Sequence, residues 1–277
     1  MKTLIFLQKY FFLVAAFIFF YVASELNQNF SKPFMVISKQ LDAWNLNDKM
    51  VQNFNLGFKR LGSSFLWVST ILESDIDHYK NKDLNSWMFR RFYSISSLDP
   101  LFYENYSFGG TYLSIIKDDL PGATIMFNKG LQYYGNDFHL LSDAGFHFYF
   151  EVGDYKRAYE VYSKLKNNPK ITPVILSTLA RLENAQGNSK EAYALLLNKY
   201  AELKDKHSFL AEKIHLHLYS LKAEIDLKCL NTINNIQVNC SKLDFDENPY
   251  LVNNGKYSAA KTWIPFKIKE KTTKKAP

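Results

Sequence analysis

The 277 residues, 47% of them hydrophobic and 16% aromatic, can supply a sizeable core for one folded domain. The formal net charge of +7 is uneven, because residues 256–277 carry seven lysines against one glutamate and the remaining body is near neutral. We therefore do not expect a nucleic-acid partner. The basic tail is either a contact for anionic lipids or wall polymers, or a solvated end.

The amino terminus carries a membrane-targeting segment. Lys2 and Lys9 precede an uncharged apolar run at residues 10–23, and Glu25 follows it. Extended back to Leu4, the run has about twenty residues, enough to cross a hydrocarbon layer if Lys9 snorkels. A cleaved signal peptide is the alternative, because small residues follow the run. Under either interpretation we expect the large domain outside the cytoplasm, in the periplasm for a single-pass protein of the inner membrane.

Small and aromatic residues recur along the middle of the chain. They form two sets thirty-five residues apart and a third that continues thirty-four residues further on: Gly110, Ala123 and Phe127; Gly145, Ala158 and Tyr162; and Ala192. A period near thirty-four with small residues at fixed offsets predicts stacked helical hairpins, each unable to bury its apolar face without a neighbour. An ordinary helical bundle is the alternative, since small residues occur wherever helices pack closely.

The second set belongs to a recognisable motif. Between Gly145 and Tyr162 lie Gly153 and Asp154, and then Ala158. These residues resemble the tetratricopeptide repeat (TPR), in which small residues let two helices approach, a Gly-Asp-Tyr turn separates them, and an aromatic residue locks them together.

The resemblance implies an all-α fold, a TPR-like solenoid of about three to four hairpins over residues 56–229, with a divergent hairpin at its start. Residues 1–24 are then the anchor, and residues 25–55 a linker or first helix. In the first two copies the small residue lies one position early relative to the turn, which implies a slightly longer first helix. Apolar residues at helical spacing predict one long helix over residues 206–229, covering the end of the stack.

The remaining segment, residues 230–277, changes character. Asn254 and Gly255 between two short apolar stretches predict a β-hairpin, and the apolar strip at residues 263–266 is expected to pack on the last helices. The only two cysteines, Cys229 and Cys240, lie close in sequence beyond a targeting segment, so we expect a disulfide between them. Two unrelated thiols are the alternative.

No catalytic constellation emerges, and we expect no enzyme activity, cofactor or metal. There is no phosphate-binding loop, nucleophile elbow or metal-ligating cysteine cluster. His215 and His217 would point about 200° apart on a helix and do not converge on one ion. Asp143 and His147 have a suitable spacing, but a surface ion pair is the simpler expectation.

In TPR proteins the first helices of successive hairpins line a concave face. The resemblance implies that this face carries three groups of side chains: Ser107, Thr111 and Ser114; Ser142, Phe146 and Tyr149; and Ser177, Arg181 and Asn184. Arginine and asparagine can hydrogen-bond carbonyls or a carboxylate, and the aromatic residues supply apolar contact area. The alternative is that Phe146 belongs to the core and the rest is solvated surface.

Three functions follow as hypotheses. The first is a membrane-anchored scaffold that docks a protein partner, within an envelope assembly such as a secretion, pilus or motility machine. The second is a structural subunit that packs through its convex face in a ring or homo-oligomer. The third is an accessory protein that positions envelope polysaccharide through its basic tail and aromatic residues.

Overall fold

The chain divides into two compact units, Met1–Asp42 and Ala43–Pro277. The computed structural model describes residues 14–25, 57–74, 84, 86–232 and 240–268. In the first unit residues 14–25 are helical, and large apolar side chains such as Phe17 and Phe20 are exposed. Across all the described ranges, no helix is both long enough and apolar enough to cross a membrane. The earlier part of the expected span and the last nine residues of the basic tail lie outside those ranges.

The second unit is mostly helical, as the sequence predicts. Its helices in chain order are α1 (Lys59–Leu72), α2 (Trp87–Leu98), α3 (Tyr103–Thr111), α4 (Leu120–Tyr133), α5 (Phe138–Phe146), α6 (Tyr155–Tyr162), α7 (Pro173–Ala185), α8 (Ser189–Glu202) and α9 (Phe209–Thr232). Consecutive helices pack in pairs, α1 on α2, α3 on α4, α5 on α6 and α7 on α8. The unit is therefore a series of helical hairpins.

The turns inside three of these hairpins share one backbone design. The residue before the second helix's N-cap has a positive φ in each, at Asp118, Gly153 and Gly187, which lie 35 and 34 residues apart. Glycine adopts this conformation without strain, and aspartate is among the few other residues that tolerate it. The next residue then caps the second helix in two of the three, as Asp119 and Asp154 accept bonds from backbone N–H groups.

Two glycines let the paired helices approach closely. A Cβ on Gly110 would lie 2.8 Å from the Phe127 ring, and one on Gly145 would lie 2.3 Å from the Tyr162 ring. Both distances are too short for a real side chain, so each glycine makes room for the aromatic residue seventeen positions later. The recurring positions that the sequence analysis singles out are therefore contact pairs.

The expected longer first helix takes the form of a π-helical turn. α3 continues as a π-helix over Tyr112–Ile116, and α5 continues as one over His147–Val152. In these two hairpins the positive-φ residue follows the start of the first helix by 15 residues, against 14 in the third hairpin, where α7 has no π-helical turn. A π-helical turn accommodates one extra residue within an α-helix, so it absorbs this insertion.

The predicted long helix is confirmed as α9. Its apolar residues Ile214, Leu218 and Leu221 pack against Leu196 of α8 in a second hydrophobic cluster, separate from the larger cluster formed by the earlier hairpins. Phe266 from the apolar strip joins the same cluster, so the strip packs on the last helices as expected. α9 thus covers the apolar side of the last hairpin.

The predicted β-hairpin is also confirmed. Strands β1 (Leu251–Asn253) and β2 (Lys256–Ser258) pair antiparallel, and both turn residues, Asn254 and Gly255, have positive φ. Cys229 near the end of α9 is joined to Cys240 by a disulfide, with Cα atoms 5.9 Å apart. This bond ties the irregular carboxyl-terminal segment to α9.

Candidate partner-binding face

The first helices of three successive hairpins share one cavity. It has a volume of about 310 Å³, and α3 with its π-helical turn, α5 with its π-helical turn and the start of α7 all contribute. Four residues expected on a concave surface, Thr111, Ser114, Ser142 and Phe146, line it. We call the surface formed by these first helices the first-helix face.

The mouth of the cavity is apolar. Ile115, Phe146 and Val174 come from the three different hairpins, and their side chains are 46%, 40% and 65% exposed. Phe150 lies beside Phe146 with ring centroids 4.8 Å apart and also lines the cavity. Apolar side chains that stay exposed around a concavity are typical of a surface that contacts a ligand or partner.

The π-helical turns correct the expected register of this face. Tyr149, expected to point into the groove, is 9% exposed and packs against Phe150 and Tyr155. Ser114 lines the cavity but is 3% exposed. The residues one position later, Ile115 and Phe150, line the cavity and are more exposed than Ser114 and Tyr149. One extra residue within a helix turns the following side chains by about 100°, which the assumed α-helical spacing did not include.

Some polar groups at or near the wall of the cavity are hydrogen-bonded within the protein. Ser107 donates a hydrogen bond to Asp143 Oδ2 at 2.9 Å, across from α3 to α5. Burial raises the pKa of the Asp143 carboxyl, and the Ser107 bond opposes that change. Ser142 donates to the backbone carbonyl of Phe138. Ser107 therefore links α3 to α5, whereas the Ser142 hydroxyl is bonded within α5.

His147 is buried and forms no surface ion pair with Asp143. It is fully enclosed, with Nδ1 2.7 Å from Ser114 Oγ and Nε2 2.8 Å from Thr124 Oγ1. Burial and the nearby charge of Arg157 lower its pKa to about 4, so the ring is neutral at physiological pH. This burial was not predictable from the sequence, because the i,i+4 spacing shows only that the two residues share one side of a helix.

The third hairpin's expected contact residues bind the chain's own carboxyl-terminal segment. Arg181 donates to the Lys267 carbonyl at 2.9 Å, and Asn184 donates to the Phe266 carbonyl at 2.7 Å. The expectation concerned a partner's carbonyls or carboxylate, and in the structure both side chains bond carbonyls of their own chain instead. His217 on α9, which the sequence analysis did not assign to a site, completes this region with a ring centroid 5.0 Å from that of Phe266.

The described ranges contain no group of histidine, cysteine and carboxylate side chains arranged to hold a metal ion. His215 pairs with Asp246 at 2.8 Å, and His217 contacts Ser177 and Arg181. The two histidines therefore contact different residues. The apolar cavity lies on α3, α5 and α7, and the site for extended main chain lies on α7 and α9, so α7 contributes to both. Comparison of the chain with models of known protein families, with curated proteins and with solved structures finds no match.

Proposed function

We propose that this chain is a membrane-anchored, extracytoplasmic scaffold of the TPR type that binds an extended segment of a partner protein within a cell-envelope assembly. The cavity shared by α3, α5 and α7 carries the proposal. A ligand that contacts all three helices must run across successive hairpins, and an extended protein segment has the shape to do so.

The chemistry of the first-helix face suits a protein segment. Ile115, Phe146 and Val174 offer apolar contact area at the mouth of the cavity. Further along the face, Arg181 and Asn184 already bond main-chain carbonyls. Apolar pockets for side chains combined with donors for the main chain are the usual elements of peptide recognition.

The size of the cavity limits what enters it. About 310 Å³ lies at the lower end of the range for ligand pockets, roughly 300–1,000 Å³. That volume accepts one or two apolar side chains and leaves the rest of a bound segment on the surface. We therefore expect the partner to insert an aliphatic or aromatic residue beside Phe146 and Phe150.

The cellular setting of the proposal rests on the sequence. Lys2 and Lys9 before the apolar run favour an amino terminus in the cytoplasm and a domain on the other side of the membrane. The Cys229–Cys240 disulfide supports this placement, since structural disulfides persist in oxidising compartments.

A second candidate function is favoured by the outer surface of α1. Leu61, Phe65, Val68 and Leu72 recur at helical spacing along it, and all are more than half exposed. Terminal repeats of helical-repeat proteins normally present a polar outer face to water. An apolar stripe there favours the structural-subunit hypothesis, in which copies of this chain or other subunits pack together.

Photo-crosslinking in intact membranes tests the first candidate against the second. A crosslinking amino acid at Val174, 65% exposed at the mouth of the cavity, samples the first-helix face, and one at Phe65, 77% exposed, samples α1. The scaffold proposal expects the Val174 probe to capture one heterologous protein. Capture of the same chain through Phe65 alone supports the packing subunit.

A matched pair of substitutions then assigns the captured partner to the cavity. Ile115→Ala removes part of the rim and is expected to weaken capture by about 1 kcal/mol or more, close to fivefold in affinity. Ile125→Ala is the control, because Ile125 is 39% exposed on α4 and does not line the cavity. Equal capture by both variants would contradict binding at this cavity.

A further inference from the structure

Residues 262–268 form an irregular segment that lies on α7 and α9. Only one of its large apolar side chains is fully seated: Phe266 is 2% exposed, whereas Ile264 is 76% exposed. Phe266 packs into the cluster that contains Leu176 and Leu218. Phe266 is therefore the fully buried anchor of the segment, and Ile268 adds a partly buried contact with the larger cluster.

The polar contacts to the segment are made to its main chain. Arg181 donates to the Lys267 carbonyl and Asn184 donates to the Phe266 carbonyl. The Arg181 guanidinium also lies over the Phe266 ring, 4.5 Å from its centroid. Because every residue has a backbone carbonyl, these bonds select an extended chain with an aromatic residue rather than one particular sequence.

The donors are oriented by residues outside the segment. His217 lies between Ser177, 2.9 Å from its Nδ1, and the Arg181 guanidinium, 3.1 Å from its Nε2. Asn184 accepts a hydrogen bond from Ser189 on its Oδ1, which aims its amide nitrogen at the segment. The site is therefore built by the helices, and its donors need a replacement acceptor whenever the segment leaves.

We infer that this site is an exchangeable binding site for an extended protein segment with an aromatic side chain, and that Phe266 is its resident occupant. The inference rests on the proposed function and names the chemistry of the partner and the step that regulates its binding. A partner's aromatic residue takes the place of Phe266, and its backbone carbonyls take those of Phe266 and Lys267. The resident segment belongs to the same chain, so its effective concentration at the site is high and it outcompetes weakly binding ligands.

A peptide-binding experiment on the full chain tests the exchange. The probe is a fluorescein-labelled synthetic peptide with the sequence of residues 262–268, and binding to the detergent-solubilised protein is followed by fluorescence anisotropy. Phe266→Ala removes the side chain that fills the site. The peptide is then expected to bind about tenfold more tightly than to the unmodified chain. The reason is that a site left open by the resident segment for a tenth of the time has a tenfold lower apparent affinity. Ile264→Ala alters an exposed neighbour and should match the unmodified chain.

Two further arms assign the peptide to the site. The same peptide with alanine at the Phe266 position should not bind, and Arg181→Ala combined with Phe266→Ala should lose the gained affinity. If Phe266→Ala shows the same circular dichroism and melting temperature as Ile264→Ala but binds the peptide no better than the unmodified chain, the inference is wrong.

A second measurement does not depend on the folding of a variant. Peptide carrying norleucine in place of lysine resists trypsin, and at saturation it should displace the resident segment of the unmodified chain and accelerate cleavage after Lys267. An unchanged cleavage rate would overturn the exchange. If the peptide does not exchange with the resident segment but partner capture still depends on Ile115, only the exchange is refuted. If the peptide exchanges normally but partner capture does not depend on Ile115, only the proposed function is refuted.

Discussion

His147 is expected to make the stability of the helical domain depend on pH. In the folded chain burial, assisted by the charge of Arg157, lowers its pKa from the ordinary value of 6.5 to about 4. The unfolded chain therefore binds a proton at His147 at a higher pH than the folded chain does. The stabilisation is fully present above pH 6.5 and is lost as the pH falls from 6.5 towards 4. At about 1.4 kcal/mol for each pH unit, the loss over this window is about 3 kcal/mol.

The substitution that isolates this effect is His147→Gln. Glutamine keeps a donor and an acceptor for Ser114 and Thr124 but does not titrate. Urea unfolding of the full chain at several values between pH 4 and pH 7.5 should give a profile that falls less steeply for the variant. His139→Gln is the control, because His139 is exposed on the same helix.

The comparison between variants is essential because Asp143, four residues before His147, also changes its protonation with pH. Its pKa is raised by burial, so its contribution is destabilising at high pH and is relieved as the pH falls through its folded pKa, opposite in sign to that of His147. The difference between the two profiles removes this shared contribution to first order. Parallel profiles for the unmodified chain and His147→Gln would refute the argument.

Three further outcomes are expected. Ala158→Leu should destabilise the domain by about 1–3 kcal/mol in thermal unfolding, because Ala158 is fully buried between paired helices, and the exposed Ala194→Leu should not; equal melting temperatures would contradict the packing. A reporter active only in the cytoplasm, fused after Pro277, should be silent, and an active one would overturn the topology. Reducing the Cys229–Cys240 disulfide should cost about 2–3 kcal/mol of stability, and thiol labelling together with an unchanged unfolding curve would show that the bond contributes little.

The local design of the hairpins was predictable because it depends on neighbours in sequence. The turn at Gly153 needs a residue that tolerates positive φ, and the contact between Gly145 and Tyr162 needs a position without a side chain. α9 follows from apolar spacing, and the turn at Gly255 follows from the residue pair typical of a two-residue β-turn. Each of these features has a short-range chemical cause.

The orientation of individual side chains on the first-helix face was only partly predictable. Thr111, Ser142 and Phe146 line the cavity, but Tyr149 is buried and Phe150 takes its expected place. The sequence shows that an extra residue is present in the first helix. It does not show whether the helix becomes longer or forms a π-helical turn, since that choice depends on how the helix packs against its neighbours.

The sequence by itself thus determined the helical class, the period of the hairpins, their turns and the positions where helices approach closely. Only the tertiary structure decided that His147 is enclosed and that Arg181 and Asn184 bind the segment at Phe266 and Lys267, more than eighty residues away. The physical reason is range. Turn geometry and helix periodicity act over a few residues, whereas burial and docking depend on which surfaces meet after the chain has folded.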